Sequence, residues 1–182
     1  MLEDGSVYEG TARGDFKETA CEIVFNTSMT GYVEILTDPS YAGQGVVMTY
    51  PMIGNYGISR EDFESERLQP SAFIVHELSS DPSNFRCTDT IENLLKEYNI
   101  PCISGVDTRA VVKKLRESGT MRGVLTSDIG DRERLMDVIK SFRQIDLVGS
   151  VTAKQTKVYG EENTGAEIAL MDFGTKRNII NN

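Results

Sequence analysis

Three cysteines and one histidine are the side chains of this sequence best suited to nucleophilic or acid-base chemistry. A catalytic thiol needs a neighbouring base or a helix N-terminus to favour the thiolate, and usually a Gly-flanked turn to expose it. Cys21 lies in an alternating apolar stretch, Cys87 follows Arg86 in a loop, and Cys102 follows Pro101 at the start of an apolar run. None has the setting of a nucleophile, and their wide spacing lacks the close pairs of metal sites and redox dithiols. Buried, reduced thiols are the expectation. His76 ends the run Phe73-Ile74-Val75 and precedes Glu77, a position from which it could act as a general base or carry a phosphoryl group. A surface histidine at a strand end fits the same residues. No H-x-x-x-H, C-x-x-C, G-x-G-x-x-G or G-x-x-x-x-G-K-S/T pattern occurs. The chain is therefore expected to hold no complete catalytic set, no metal site and no nucleotide cradle, and to work as part of a larger enzyme.

Charge removes a second class of function. Lys and Arg number 19 against 28 Asp and Glu, a net charge of -9, which opposes the counterion release that drives nucleic-acid binding. The basic residues Arg109, Lys113, Lys114, Arg116 and Arg122 alternate with Val111, Val112 and Leu115 at helical spacing, as on a solvated helix face. Hydrophobic residues make up 39% and charged residues 26%, with no long apolar run, so a soluble domain is expected and a membrane span is not. Met1-Leu2-Glu3-Asp4-Gly5 lacks the basic and apolar regions of a secretory signal, which points to the cytoplasm.

The elements that must position these residues change character along the chain. Asp4-Gly5 predicts a turn, and with it a hairpin, because such turns need positive φ. Val7 to Ala12, Ala20 to Phe25, Val46 to Tyr50 and Ala72 to Val75 read as strands, so the first half is mostly β. Ile91, Leu94, Leu95 and Tyr98 fall on one helical stripe that Thr90 or Asp89 could cap. Ile100 to Val106 reads as a buried strand, followed by a helix from Asp107-Thr108 to Ser118 that stops at Gly119. Met121 to Thr126 predicts another strand. Leu135, Val138, Ile139 and Phe142 predict a third helix, so the second half is α/β. Lys154 to Gly165 is polar and aperiodic, a linker. Ile168 to Met171 reads as an apolar strand leading to a strand-to-helix passage at Asp172 to Ile180. The chain stops before that helix can bury its apolar side, so its end is expected to lie inside a second domain.

The most distinctive stretch runs from Phe25 to Tyr41, F-N-T-S-M-T-G-Y-V-E-I-L-T-D-P-S-Y, dense in hydroxyl and amide groups after a buried strand. From composition alone it is a loop and short helix held by Ser, Thr and Asn caps, with Asp38-Pro39 making a turn. The same stretch resembles the start of the small, glutamine-handling subunit of carbamoyl-phosphate synthetase. The resemblance continues in order through Thr49 to Gly57 (T-Y-P-M-I-G-N-Y-G), Ser104 to Ala110 (S-G-V-D-T-R-A) and Leu115 to Gly123 (L-R-E-S-G-T-M-R-G). Asp172 to Ile179 (D-F-G-T-K-R-N-I) resembles the opening of that subunit's glutaminase domain, so the resemblance covers essentially the whole chain. Gly45 departs from it, standing where a branched aliphatic residue is commoner, and Met1 begins where the family usually has residues of a preceding first strand.

The resemblance implies a mixed α/β fold of swivelling β/β/α type over residues 1–153, a linker over 154–166, and over 167–182 the first strand of a truncated class I glutamine amidotransferase domain. It implies no catalytic residue here, since the Cys-His-Glu triad of the family lies in that second domain. Ser40, the serine of D-P-S-Y, is the one residue implied to reach bound L-glutamine across the domain boundary, through one hydroxyl hydrogen bond. The implied partner is the synthetase large subunit, which receives ammonia and uses ATP to make carbamoyl phosphate for arginine and pyrimidine synthesis. No cofactor belongs to this chain on that reading, and the fragment alone is expected to be inactive. A stand-alone interaction module and a phospho-carrier using His76 are the alternatives.

Overall fold

The computed structural model describes residues 1–14, 16–143, 146–160 and 165–181. Apolar residues on both sides of the central strands demand cover on both faces, and the architecture supplies it. The strands are β1 (Thr11–Arg13), β2 (Thr19–Asn26), β3 (Gln44–Met48), β4 (Met52–Ile53), β5 (Ala72–Ile74), β6 (Glu77–Leu78), β7 (Cys102–Ser104) and β8 (Met121–Leu125). Six form one sheet in the order β1-β7-β5-β3-β2-β8, and β4 pairs with β6 in a small separate ladder. The inner pairs β2·β3, β3·β5 and β5·β7 are parallel, while β1 on β7 and β8 on β2 are antiparallel edges. The result is a mixed α/β domain.

The helices are α1 (Tyr32–Thr37), α2 (Ile91–Glu97), α3 (Thr108–Ser118), α4 (Arg132–Ser141), α5 (Leu147–Val151) and α6 (Arg177–Asn181). On one sheet face, Val46, Met48 and Phe73 pack with Leu36 of α1 and with Leu94 and Leu95 of α2. On the other, Cys21, Ile23, Val47 and Ile74 meet Val111 and Leu115 of α3. Leu135 and Ile139 of α4 close over Val124 of β8. Side-chain caps fix the N-termini of α2, α3 and α4. Thr90 Oγ1 accepts from the Asn93 N–H at 3.2 Å, Asp107 Oδ1 from the Ala110 N–H at 2.9 Å, and Asp131 Oδ1 from the Arg134 N–H at 2.9 Å.

Two expectations need correction. The Asp4-Gly5 turn forms, with Gly5 at φ 84°, but it joins no hairpin. Leu2 bridges Gly123 beside β8, whereas the strand predicted over Val7 to Ala12 is confined to Thr11–Arg13 on β7, at the opposite edge. Residues 7–10 cross between the edges instead of pairing. Gly10 permits that path, because a Cβ there would collide with the Ser104 carbonyl oxygen and the Ile103 side chain. The strand expected over Ile168 to Met171 is also absent. These residues join no ladder, and Ile168, Leu170 and Met171 are 90%, 53% and 75% exposed. An extended apolar run becomes a strand only where a neighbour accepts its backbone hydrogen bonds, and no strand of the described residues lies beside it.

Candidate functional site

The motif from Phe25 to Tyr41 folds as the end of β2, the helix α1 and a single 3₁₀ turn over Pro39–Tyr41. Gly31, at φ 81°, cannot cap α1 with a side chain. The hydroxyl of Tyr56 does so from a distant motif, accepting from the N–H groups of Gly31 at 2.7 Å and Tyr32 at 3.3 Å. The rings of Tyr32 and Tyr56 stack with centroids 4.1 Å apart, and the Tyr32 hydroxyl donates to the Gly57 carbonyl at 2.7 Å. Asn26 Nδ2 donates to the Tyr41 hydroxyl at 2.8 Å, tying one end of the motif to the other. Its polar residues thus hold one another and the T-Y-P-M-I-G-N-Y-G loop.

At the C-terminal end of α1 the chain presents Ser40. Asp38 Oδ1 accepts the Ser40 N–H at 2.9 Å, which sets the 3₁₀ turn. Ser40 is exposed, and among the described residues its hydroxyl makes no hydrogen bond. Beside it lies the segment D-F-G-T-K-R-N. The ammonium of Lys176 stands 2.7 Å from Asp38 Oδ2, and this hydrogen bond raises the Lys176 pKa. Gly174, at φ 108°, packs so closely on Pro39 and Val151 that a Cβ would sit 3.1 Å and 2.8 Å from their side chains. Asp172 Oδ1 accepts from the N–H groups of Gly174 and Thr175 at 2.9 and 2.7 Å, and these bonds lower its pKa.

A buried carboxylate holds the same segment from below. Glu64, 8% exposed, takes the Asn178 N–H on Oε2 at 3.1 Å and the Asn178 side-chain amide on Oε1 at 2.8 Å. Its carbonyl accepts from the Arg177 N–H at 2.8 Å, and its own N–H donates to Thr37 Oγ1 at 2.9 Å. The Thr37 hydroxyl in turn donates to the Val33 carbonyl at 2.8 Å, anchoring the set in α1. Stretches more than a hundred residues apart are therefore joined next to Ser40, through Asp38 to Lys176 and Glu64 to Asn178. Sequence reasoning singled out Ser40 but missed Asp38, Glu64 and Lys176 as a group, since nothing local signals that these charges meet.

The other sequence candidates sit apart from this place. Burial pushes the Cys21 and Cys102 thiols up to about 12, so neither is a thiolate at neutral pH. Cys87 is half-buried in its loop, its Sγ 3.4 Å from the Asp89 carbonyl. His76 is exposed, with Nδ1 3.1 Å from the Val106 carbonyl. Gly45 fits closely: a Cβ there would lie 2.7 Å from Cys21 Sγ and 2.8 Å from Ile23 Cδ1, so a branched residue would need those side chains to move. Among the described residues no group of three or more His, Cys, Asp or Glu could hold a metal ion, and no helix is long and apolar enough to cross a membrane.

Cavities lie elsewhere among the described residues. One of about 450 Å³ lies under the crossing at residues 7–10, lined mainly by aliphatic and aromatic side chains such as Tyr8, Phe16, Ile23 and Val111. A second, of about 260 Å³, is polar and lined by Thr30, Glu34, Tyr56, Asp62, Asn84 and Arg86. Burial raises the Glu34 pKa, and Arg86 pairs with Asp62 at 2.7 Å and Glu61 at 3.2 Å. Neither sets a nucleophile beside a base.

Residues 1–125 match the family described as "Carbamoyl-phosphate synthase small chain, CPSase domain". The chain is 47% identical over 183 residues to the carbamoyl phosphate synthase small chain of Clostridium perfringens, covering 100% of this chain and 52% of that one. It is 47% identical over 184 residues to the same protein of Archaeoglobus fulgidus, covering 98% and 51%, and 44% identical over 183 residues to that of Chlorobaculum tepidum, covering 99% and 50%. The chain spans about half the length of the curated relatives it matches.

Proposed function

The chain belongs to the carbamoyl-phosphate synthase small-chain family, and on that premise we propose that it is the N-terminal part of a subunit that hydrolyses L-glutamine and passes ammonia to a large subunit. On this reading residues 1–153 form the swivelling docking domain, 154–166 the linker and 167–182 the opening of the glutaminase domain. The large subunit uses ATP to make carbamoyl phosphate in the cytoplasm, for arginine and pyrimidine synthesis. This half contributes no nucleophile. Its part in glutamine handling is one hydroxyl, Ser40, offered at the boundary with the second domain.

The observation that carries this reading is the placement of an exposed, uncommitted Ser40 hydroxyl next to D-F-G-T-K-R-N, through Asp38 and Lys176. A serine that served only to cap a helix would have its oxygen turned to backbone N–H groups. Here Asp38 takes the capping role and leaves the Ser40 oxygen free to meet a ligand's amino or carboxylate group. Mixing this chain with the synthetase large subunit at micromolar concentration and separating by size tests the docking role. Co-elution is expected. Separate elution would favour a stand-alone interaction module instead.

A further inference from the structure

We infer that Asp38 is a positioning residue that couples Ser40 to the segment opening the second domain, with Lys176 and Glu64 as the contacts through which that segment acts. This rests on the reading that Ser40 meets glutamine. The two oxygens of one carboxylate do different jobs: Oδ1 holds the Ser40 N–H at 2.9 Å and Oδ2 the Lys176 ammonium at 2.7 Å. With 11% of its side chain exposed, Asp38 has little room to satisfy one contact while abandoning the other. A shift of Lys176 therefore turns the carboxylate and moves the Ser40 turn with it.

Three further contacts make the junction more than a surface ion pair, which alone is worth little. Gly174 lies against Pro39, the residue before Ser40, at a φ that favours glycine. Glu64 grips Arg177 and Asn178 through its carbonyl and both carboxylate oxygens. Thr37, the residue before Asp38, hydrogen-bonds the Glu64 N–H. Asp38 and Thr37 are adjacent, so both anchors pull on the same end of α1. The closed arrangement holds the Ser40 backbone, and so the site from which its hydroxyl projects, in one place before any ligand arrives, and lost preorganisation of that kind weakens binding.

The test uses the full-length small chain assembled with its large subunit, comparing Lys176→Gln, Glu64→Gln and Lys176→Arg. The Gln variants should raise the KM for glutamine about three- to tenfold, with kcat within about twofold and ammonia-dependent synthesis unchanged, because about one hydrogen bond's worth of positioning is lost. Lys176→Arg, which keeps the ion pair, should restore most of the affinity. Backbone hydrogen exchange at the Ser40 amide should quicken about fivefold in Lys176→Gln. An unchanged KM in both Gln variants, or an equal fall in ammonia-dependent synthesis, would overturn the proposal. Unchanged Ser40 exchange overturns the coupling whatever the kinetics. If instead Ser40→Ala leaves glutamine use untouched while the exchange responds, the glutamine reading fails and the mechanical coupling stands.

Discussion

The sheet body and the segment that follows it are held by opposite means. Phe73, Leu94 and Ile139 have 0% exposure, and the sheet is closed by ladders and by helices on both faces. The last described stretch leaves Ile168, Leu170, Met171 and Phe173 53–90% exposed and is fastened by polar groups, Asp38, Glu64 and Asp172. Hydrophobic burial is non-directional and large in sum, so it sets whether the body folds. Hydrogen bonds and ion pairs are weaker but directional, so they set where the segment lies and hence where Ser40 points. The difference separates stability from placement, and a variant should disturb one much more than the other.

The largest effect is expected in the body. Phe73→Ala empties the central sheet and should cost about 3–5 kcal/mol of unfolding free energy, read from denaturant midpoints at constant slope. A loss near zero would mean that the core is not where the sheet places it. Thiol labelling gives a second contrast. With their thiols pushed up to about 12, Cys21 and Cys102 should react on the order of a thousandfold more slowly than an ordinary free cysteine at neutral pH. The half-buried Cys87 should label first, and simultaneous labelling of all three thiols would contradict the closed core.

Smaller effects belong to the junction and the surface. Gly174→Ala forces a side chain into positive φ and against Pro39 and Val151, costing about 1–3 kcal/mol locally. It should raise hydrogen exchange at residues 174–178 with little change in the global midpoint. A global loss of the same size would join the two regions into one cooperative unit. The smallest effect is expected at Glu18, whose carboxyl is held down at about 2 chiefly by the hydrogen bond from Arg134. A depressed carboxylate stabilises the fold above its unfolded pKa of about 4.3 and loses that contribution as pH falls toward 2. Because the pair is exposed, Glu18→Gln should change stability by less than about 1 kcal/mol, and only above that window. Equal stabilities of the two proteins at pH 7 and pH 3 would remove the pair from the account.

Legibility followed the range of the interactions. Helices α2, α3 and α4 were readable because their caps and apolar stripes are local: Asp107 and Asp131 sit three residues from the N–H they take. The motif from Phe25 to Tyr41 announced something specific, and Ser40 came from its likeness to a known pattern. The hairpin misreading shows where locality ends, since Asp4-Gly5 does turn the chain but cannot say which edge receives the next strand. Likewise the strand expected over Ile168 to Met171 has the right residues and lacks a neighbour. Tyr56 capping α1, and Glu64 reaching Asn178 across 114 positions, leave no local trace at all. What the sequence hid was pairing at a distance.

The most direct test returns to Ser40. In the full-length small chain assembled with its large subunit, Ser40→Ala should raise the glutamine requirement about ten- to a hundredfold, the loss of one hydrogen bond to a charged group. Carbamoyl phosphate synthesis from ammonia should be unchanged. A glutamine requirement equal to that of the unaltered protein would contradict the claim that this half reaches the substrate.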